Sequence, residues 1–171
     1  MRKRIIILFG SIGLLFGLTS SSSDEYDYEA VIMTRANLEK SIRYEAPREL
    51  DGLAKIYYYD HYIFISKRYK GIHVIDNTNP ASPVNTGFIN IPGCVDMAIR
   101  NNILYADNAV DLIAINISDL QNLKVTSRTR NILPEHNYPG MDYIPVKYSK
   151  EYRPENTVIV EWRIKNSMNN E

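Results

Sequence analysis

The sequence predicts an all-β protein of the β-propeller type, with about two four-stranded antiparallel blades in an incomplete propeller and a short N-terminal helix. Three observations predict this class. The middle third of the chain repeats itself after a shift of 40 residues. Each repeated unit holds several short runs of β-branched and aromatic residues, which favour strands. Turn-forming residues separate these runs, and such units of about 40–45 residues are typical of propeller blades.

The repeat aligns three pairs of segments. The shift places residues 57–59 on 97–99, residues 63–65 on 103–105, and Gly71–Asp76 on Asp111–Asn116. One such unit cannot bury both of its faces alone, so each unit implies a neighbour.

Residues 1–20 predict a secretory signal peptide. Arg2, Lys3 and Arg4 form a basic n-region, and residues 5–18 form an apolar run interrupted only by Gly and one Ser. This run is too short to cross about 30 Å of hydrocarbon as a helix. We therefore expect export to the cell envelope, at the outer-membrane surface or in the periplasm, with no transmembrane span after signal removal.

The end of the apolar run resembles a bacterial lipobox. Leu18, Thr19 and Ser20 precede Ser21, which stands where a lipoprotein has its acylated cysteine. Residues 21–29, rich in Ser, Asp, Glu and Tyr, predict a flexible tether like the stretch that follows that cysteine in surface lipoproteins. Since a hydroxyl cannot form the thioether, we expect a lipoprotein-like chain that carries no lipid.

Charge and cysteine usage exclude two further classes. Three of the 20 basic side chains lie in the n-region. The rest of the chain keeps all 20 acidic side chains and therefore has a small net negative charge. No basic block is left to bind nucleic acid. Cys94 is the chain's single cysteine, so no internal disulfide is available to stabilise an exported fold. Its place at the start of a strand pattern predicts a buried, unreactive thiol.

The elements follow in order along the chain. Residues 30–54 predict a lead-in with a strand at 30–33 and a helix from Arg35 to Ile42, capped by the Thr34 hydroxyl. Residues 55–93 form the first blade repeat and residues 94–132 the second. The predicted strands are 55–59, 62–66, 71–76 and 84–91 in the first repeat and 95–99, 103–107, 110–117 and 123–130 in the second. Residues 133–171 predict a long loop and a last strand at 157–164.

One repeat motif resembles a known family. Gly71, Ile72, His73, Val74, Ile75 and Asp76, followed by an Asn-Pro-x-x-Pro turn at 79–83, are similar to the LVIVD-repeat family of exported bacterial proteins. The second copy, Leu112, Ile113, Ala114, Ile115 and Asn116, matches less closely. The resemblance implies a β-propeller and structural roles for these residues, and it implies no chemistry.

Two consequences follow for the architecture. A closed propeller needs at least four blades, and relatives of this type are longer. The resemblance therefore implies a truncated product, a domain boundary cut short or assembly between chains. We favour truncation, with open blade edges that favour self-association. We also expect the apolar residues of the repeated strands to be buried on at least one face. This set comprises Ile63, Ile65, Ile72, Val74, Ile103, Tyr105, Leu112 and Ala114.

Candidate chemical groups favour structural roles. We expect His73 to be hydrogen-bonded in its strand or to face solvent, and Asp76 and Asn116 to cap Asx turns rather than to bind calcium. Tyrosines crowd the first repeat and the late loop, where their flat faces suit strand packing, glycan stacking or a protein interface. The chain has no zinc motif, catalytic triad or phosphate-binding glycine loop, so we expect no catalytic residue, no metal site and no cofactor.

These observations predict a non-enzymatic binding or scaffold module of the cell envelope, with an unknown protein or glycan as its partner. Two alternatives remain open at this level. The first alternative is that the chain is a fragment of an extracellular glycan-active hydrolase or lyase, with catalytic residues in parts that it lacks. The second is that it is a truncated, non-functional repeat protein.

Overall fold

The computed structural model describes residues 27–165, which form three antiparallel sheets and are therefore all-β in class. The signal peptide, the lipobox-like Leu18 to Ser21 and most of the predicted tether lie outside the described residues. The chain enters the structure through strand β1 (Tyr28–Thr34), helix α1 (Arg35–Lys40) and strand β2 (Arg43–Glu45). Residues 28 and 29 thus belong to a strand and not to a tether.

Two sheets follow the repeated part of the sequence. The first sheet contains β3 (Leu53–Tyr59), β4 (Tyr62–Lys67), β5 (Gly71–Asp76) and β6 (Val84–Asn90), with β2 added beside β6. The second sheet contains β7 (Met97–Arg100), β8 (Ile103–Asn108), β9 (Asp111–Asn116) and β10 (Lys124–Thr129). In both, consecutive strands are neighbours, so each is an antiparallel meander.

Helix α1 is short because both of its ends are capped locally. The Thr34 hydroxyl accepts a hydrogen bond from the Asn37 amide, as an N-cap does. At the other end, the Ser41 amide and hydroxyl both donate to the Leu38 carbonyl. The helix therefore ends at Lys40, two residues before the predicted end, and the chain turns into β2.

Strand β2 was not among the predicted elements. It is only three residues long and pairs with β6 through Tyr44 opposite Ile89. The Tyr44 ring lies across Gly87, where an added Cβ would stand 2.2 Å from the ring. So short a segment has no readable period of its own, and its strand character comes from the neighbour it pairs with.

The register of the two sheets corrects the sequence alignment in part. Asp76 pairs with Tyr62 and Asn116 pairs with Ile103, so β5 and β9 are related by 40 residues but β4 and β8 by 41. The reason is one extra residue in the β4–β5 connection, residues 68–70, compared with residues 109–110 between β8 and β9. Ile63 is therefore equivalent to Leu104 and not to Ile103.

The bulges of the two sheets do follow the 40-residue shift. The pairing of β5 with β6 skips Thr86, and the pairing of β9 with β10 skips Thr126. The Thr86 hydroxyl donates to the Val74 carbonyl at 3.0 Å, and the Thr126 hydroxyl donates to the Ala114 carbonyl at 3.2 Å. Each threonine hydroxyl thus bonds a carbonyl of the strand opposite its bulge.

A third sheet joins the two chain ends. Strand β11 (Thr157–Ile164) pairs with β1 and does not open another meander. Its Val158 and Val160 pack with Leu38 of α1 and with Ala109 and Val110, the turn between β8 and β9. Between β10 and β11 the chain has no strand and only a 3-10 turn at Val146–Tyr148. The third sheet therefore packs against α1 and the turn between β8 and β9.

Candidate functional site

The first and second sheets stack through opposite faces. Directly paired residues of antiparallel strands share a face, and the faces alternate along each strand. One core contains Phe64, Ile72, Val74, Ile89 and Ile91 of the first sheet. The residues of the second sheet in this core are on the face opposite to the one that carries the equivalents of Phe64, Ile72 and Val74. The second sheet contributes Met97, Ile99, Leu104, Ala106, Ile113 and Ile115. We call these the stacking faces of the two sheets.

The equivalences show that the stacking is head to tail. Ile72 and Val74 on the first stacking face are equivalent to Leu112 and Ala114. Those two residues lie on the face of the second sheet that points away from the first. The same side of the repeated unit is thus turned inward in the first sheet and outward in the second, as in a row of identical units that all point one way.

Polar contacts lock the same interface at the β3 and β7 edge. The Tyr57 hydroxyl donates to the Ile99 carbonyl at 3.0 Å. The Tyr59 hydroxyl donates to Asn102 Oδ1 at 2.7 Å and accepts from the Asn102 amide at 2.9 Å. An exposed ion pair links Lys55 to Asp96. Two of the tyrosines noted in the sequence therefore form hydrogen bonds between the two sheets.

The second sheet has an open face on its other side. Tyr105 and Leu112 are 42% and 40% exposed there, although Phe64 and Ile72 at the equivalent positions are 1% and 0% exposed. The prediction that Tyr105 and Leu112 are buried is therefore wrong. A two-residue period shows that a strand has an apolar face, but it does not show whether anything covers that face.

The outer face of the first sheet is half covered. The guanidinium of Arg48 lies 4.0 Å from the centre of the Phe88 ring, and the Arg48 carbonyl accepts from the Asn85 side chain. On the uncovered half, Ile56 and Tyr58 are 66% and 63% exposed. Their equivalents in the second sheet are buried in the stack. The two ends of the stack are thus different surfaces.

His73 lies under this cover and does not behave as predicted. Its ring is fully buried beside Phe88, and neither ring nitrogen has a hydrogen-bond partner among the described residues. Burial, with help from the nearby Lys67 ammonium, lowers the pKa of His73 below its usual range. The ring is therefore neutral at pH 7 and packs as an apolar residue, neither hydrogen-bonded nor in contact with solvent.

A buried ionic cluster joins α1 to the second sheet. Asp111 is fully buried and accepts from the guanidinium groups of Arg35 at 2.7 Å and Arg128 at 2.6 Å. Burial raises its pKa, but the hydrogen bonds from Arg35, the Asn131 amide and Arg128 outweigh this and hold the pKa below its usual range. The sequence pattern did not single out this cluster, because its members are 76 and 17 positions from Asp111 in the chain.

The predicted Asx turns are confirmed. Asp76 Oδ1 accepts from the Thr78 amide at 2.8 Å, and Asn116 Oδ1 accepts from the Ser118 amide at 2.9 Å. Hydrogen bonds from the Thr78 side chain and then from its amide lower the pKa of Asp76. These residues of the repeat motif therefore end β5 and β9 in the same way, and their oxygens are used by the backbone.

The remaining nucleophilic and charged side chains considered are buried or hydrogen-bonded within the protein. Cys94 is buried as predicted, and burial raises the pKa of its thiol well above the usual value. Asp107 accepts from the Val95 and Asp96 amides, yet burial raises its pKa. Arg153 and Glu135 form an ion pair that is almost fully buried. Among residues 27–165, no group of three or more His, Cys, Asp or Glu side chains is placed to hold a metal ion.

The late tyrosines divide into two groups. Tyr138 and Tyr148 each pack edge-on against Trp162, with ring centres 5.2 Å apart. Tyr143 and Tyr152 are exposed. Aromatic residues that are distant in the sequence thus meet around the single tryptophan of the chain, on the third sheet.

Comparisons with family models, with curated proteins and with solved structures give no match for this chain. The similarity to LVIVD repeats therefore stays a prediction from the motif. Within the described part of the chain, none of the helices has the length and apolar character needed to cross a lipid bilayer.

Proposed function

We propose that the chain is a non-enzymatic scaffold module of the cell envelope, built from two blade-type sheets of the LVIVD kind. The head-to-tail stack carries this proposal. In a propeller, each blade turns the same face toward the next blade, and the two sheets here are related in that way. The basic n-region and apolar run of residues 1–20 support export, by the signal-peptide pattern.

The engaged state of the polar groups supports a structural role rather than catalysis. Asp111 and Glu135 are each held by arginine, and the Cys94 thiol is buried without a basic group to activate it. Catalysis by a carboxylate or a thiol requires a group that can reach a substrate. Among the described residues, the open face and the uncovered half of the outer face are two apolar surfaces that remain accessible.

These two surfaces define the partner of the scaffold, which is a second copy of this chain. Inside one chain, the stacking interface shows which face fits which. In the contact between copies, Tyr105 and Leu112 of one copy take the place that Phe64 and Ile72 have in the stack within one chain. Ile56 and Tyr58 of the next copy take the place of Met97 and Ile99. This contact is heterologous, so it extends into short rows rather than closing into a two-fold dimer.

Sedimentation velocity tests the scaffold proposal on residues 24–171 over a hundredfold range of concentration. We expect the weight-average sedimentation coefficient to rise with concentration. Leu112→Glu places a charge on the open face and should abolish that rise, since a buried unpaired charge is costly.

The matched control is Val146→Glu, which changes an equally apolar residue, also exposed, in the late loop. It should leave the association unchanged. A concentration-independent monomer for the unmodified chain, or equal effects of the two variants, would contradict the proposal that the open face binds another copy.

A further inference from the structure

The connection between β4 and β5 differs from its equivalent by one residue, and that difference builds a cleft. Residues 68–70 replace the tighter turn found at 109–110. Tyr69 adopts a φ of +64°, a left-handed conformation that is unfavourable for a bulky side chain. Its amide donates to the Cys94 carbonyl at 2.6 Å, and its carbonyl accepts from the Gly93 amide at 2.9 Å. The link between the two sheets thus holds Tyr69 in place.

The strained backbone aims the Tyr69 ring at the third sheet. The ring centre lies 4.9 Å from that of His136. His136 Nε2 contacts the Gly93 carbonyl at 3.0 Å, and the His136 carbonyl accepts from Trp162 Nε1 at 2.9 Å. Strain of this kind persists where the surroundings impose it, and it is concentrated at binding sites.

A cleft of about 490 Å³ lies between these aromatic rings. Tyr28, Tyr69, Tyr138 and Trp162 are among the residues that line it. The volume lies within the range of small-ligand sites, and aromatic side chains with polar tips suit the faces of sugar rings. The side chain of Asn137, also on the lining, offers an amide for hydroxyl groups.

The charge of the cleft selects among sugars. No Asp or Glu lines it, and Arg68 is the charged residue of its lining. The Arg68 guanidinium lies 5.0 Å from the Tyr69 ring centre and has no carboxylate partner among the described residues. A planar guanidinium with free donors binds a carboxylate through two parallel hydrogen bonds. We infer that this cleft binds a carboxylated sugar, such as a hexuronic acid residue of an acidic glycan.

The inference does not depend on the stacking of copies, and a direct test is available because Trp162 is the single tryptophan of the chain. Its fluorescence therefore reports on one defined position in the lining of the cleft. The full chain is titrated with a galacturonic acid trisaccharide and, separately, with the methyl ester of that trisaccharide. We expect saturable quenching or a spectral shift with the acid and about tenfold weaker binding of the ester.

Two variants assign the effect to residues. Arg68→Gln should make the acid and the ester bind equally. Tyr69→Asn keeps a residue that tolerates the left-handed conformation, removes the ring, and should weaken both ligands by about tenfold or more. Tyr152→Asn, at an exposed tyrosine outside the cleft, should change neither.

Three results would overturn the inference. They are no saturable response to the acid, an unchanged preference for the acid in Arg68→Gln, and equal losses in Tyr69→Asn and Tyr152→Asn. Circular dichroism checks that each variant is folded. If Tyr69→Asn fails to fold, the comparison of acid and ester in Arg68→Gln decides the question by itself.

Discussion

The first and second sheets each contain a four-stranded antiparallel meander with the strands in the same order, yet equivalent residues have different surroundings. Phe64 is buried in the stack, and its equivalent Tyr105 is exposed. On the other face the relation is reversed, because Met97 is buried and its equivalent Ile56 is exposed. The burial of these residues is therefore set by the place of their sheet in the stack and not by their place in the repeat.

The two outward-facing sheet surfaces of the stack are also covered to different extents. The segment around Arg48 covers half of the first sheet's outer face, whereas the open face of the second sheet has no such cover among the described residues. The connections differ in length and side chain, because Tyr69 and the small Ala109 both adopt a left-handed conformation but only Tyr69 carries a ring. Two sheets of equal meander topology thus have one half-covered face, one open face and a cleft beside the first sheet.

The largest expected effect is the difference between Phe64→Ala and Tyr105→Ala. Phe64 is fully buried in the stack, so its truncation should lower the free energy of unfolding by about 4 kcal/mol. Truncation of the exposed Tyr105 should cost less than about 1 kcal/mol. Urea unfolding at low protein concentration measures both. Similar losses at the two positions would mean that something covers the open face.

Asp111→Asn tests a position that differs between the sheets. The equivalent Gly71 has no side chain, and an added Cβ there would stand 2.1 Å from the Ile89 carbonyl oxygen. Asp111 instead holds two arginines, so the variant should lose about 3 kcal/mol of unfolding free energy at pH 7, because it leaves buried guanidinium groups without a counter-charge.

The same variant has a pH signature. Because the pKa of Asp111 is lowered in the folded chain, its contribution is present above the unfolded carboxyl pKa of about 4 and is lost as the pH falls through the folded value. Urea unfolding between pH 7 and pH 3 should therefore show a steeper decline for the unmodified chain than for Asp111→Asn. Parallel declines would show that the carboxylate is not held as the structure indicates.

His73→Ile makes the first sheet more like the second, where Ile113 stands at the equivalent position. The buried ring has two nitrogens without partners, and its pKa is lowered by burial. The unfolded chain therefore binds a proton below about pH 6.5 that the folded chain does not, and stability falls as the pH drops through that value. Replacement should stabilise the protein by about 1–2 kcal/mol at pH 5.5 and by less at pH 7.5. A larger gain at pH 7.5 would contradict a neutral buried imidazole.

The smallest effect concerns the bulges that the two sheets share. Thr86→Val and Thr126→Val remove the hydroxyl that bonds the Val74 or the Ala114 carbonyl and keep the β-branched shape. Each should cost about 1 kcal/mol of unfolding free energy, and the two costs should agree within about 0.5 kcal/mol. Urea midpoints give the answer. A clear inequality would show that the bulges are not equivalent parts of one repeated unit.

Much of the strand pattern could be predicted from local signals. The segments Gly71–Asp76 and Thr157–Ile164 have the predicted bounds, because runs of β-branched residues between turn formers are typical of strands. The Asx turns after Asp76 and Asn116 were predictable for a similar reason, since each forms within three consecutive residues. Strand β2 and the pairing of β1 with β11 were not, because both depend on partners that are distant in the chain.

The candidate cleft was the least accessible from sequence. The tyrosines were visible as a composition, but Tyr28, Tyr69 and Tyr138 come together only because the third sheet lies against the turn between β4 and β5. The extra residue in that turn could have been found by aligning β4 with β8 after a shift of 41 rather than 40 residues. The left-handed conformation of Tyr69 has no local sequence signal.

The sequence by itself determined the all-β class, the order of strands within each meander and the turns that end β5 and β9, because each depends on residues close together in the chain. The tertiary structure alone decided which face of each sheet is buried, which carboxylate holds two arginines and where a cleft opens. Those properties depend on which surfaces meet. A two-residue period is the same for a covered and an uncovered face, so only the packing of one sheet on another distinguishes Phe64 from Tyr105.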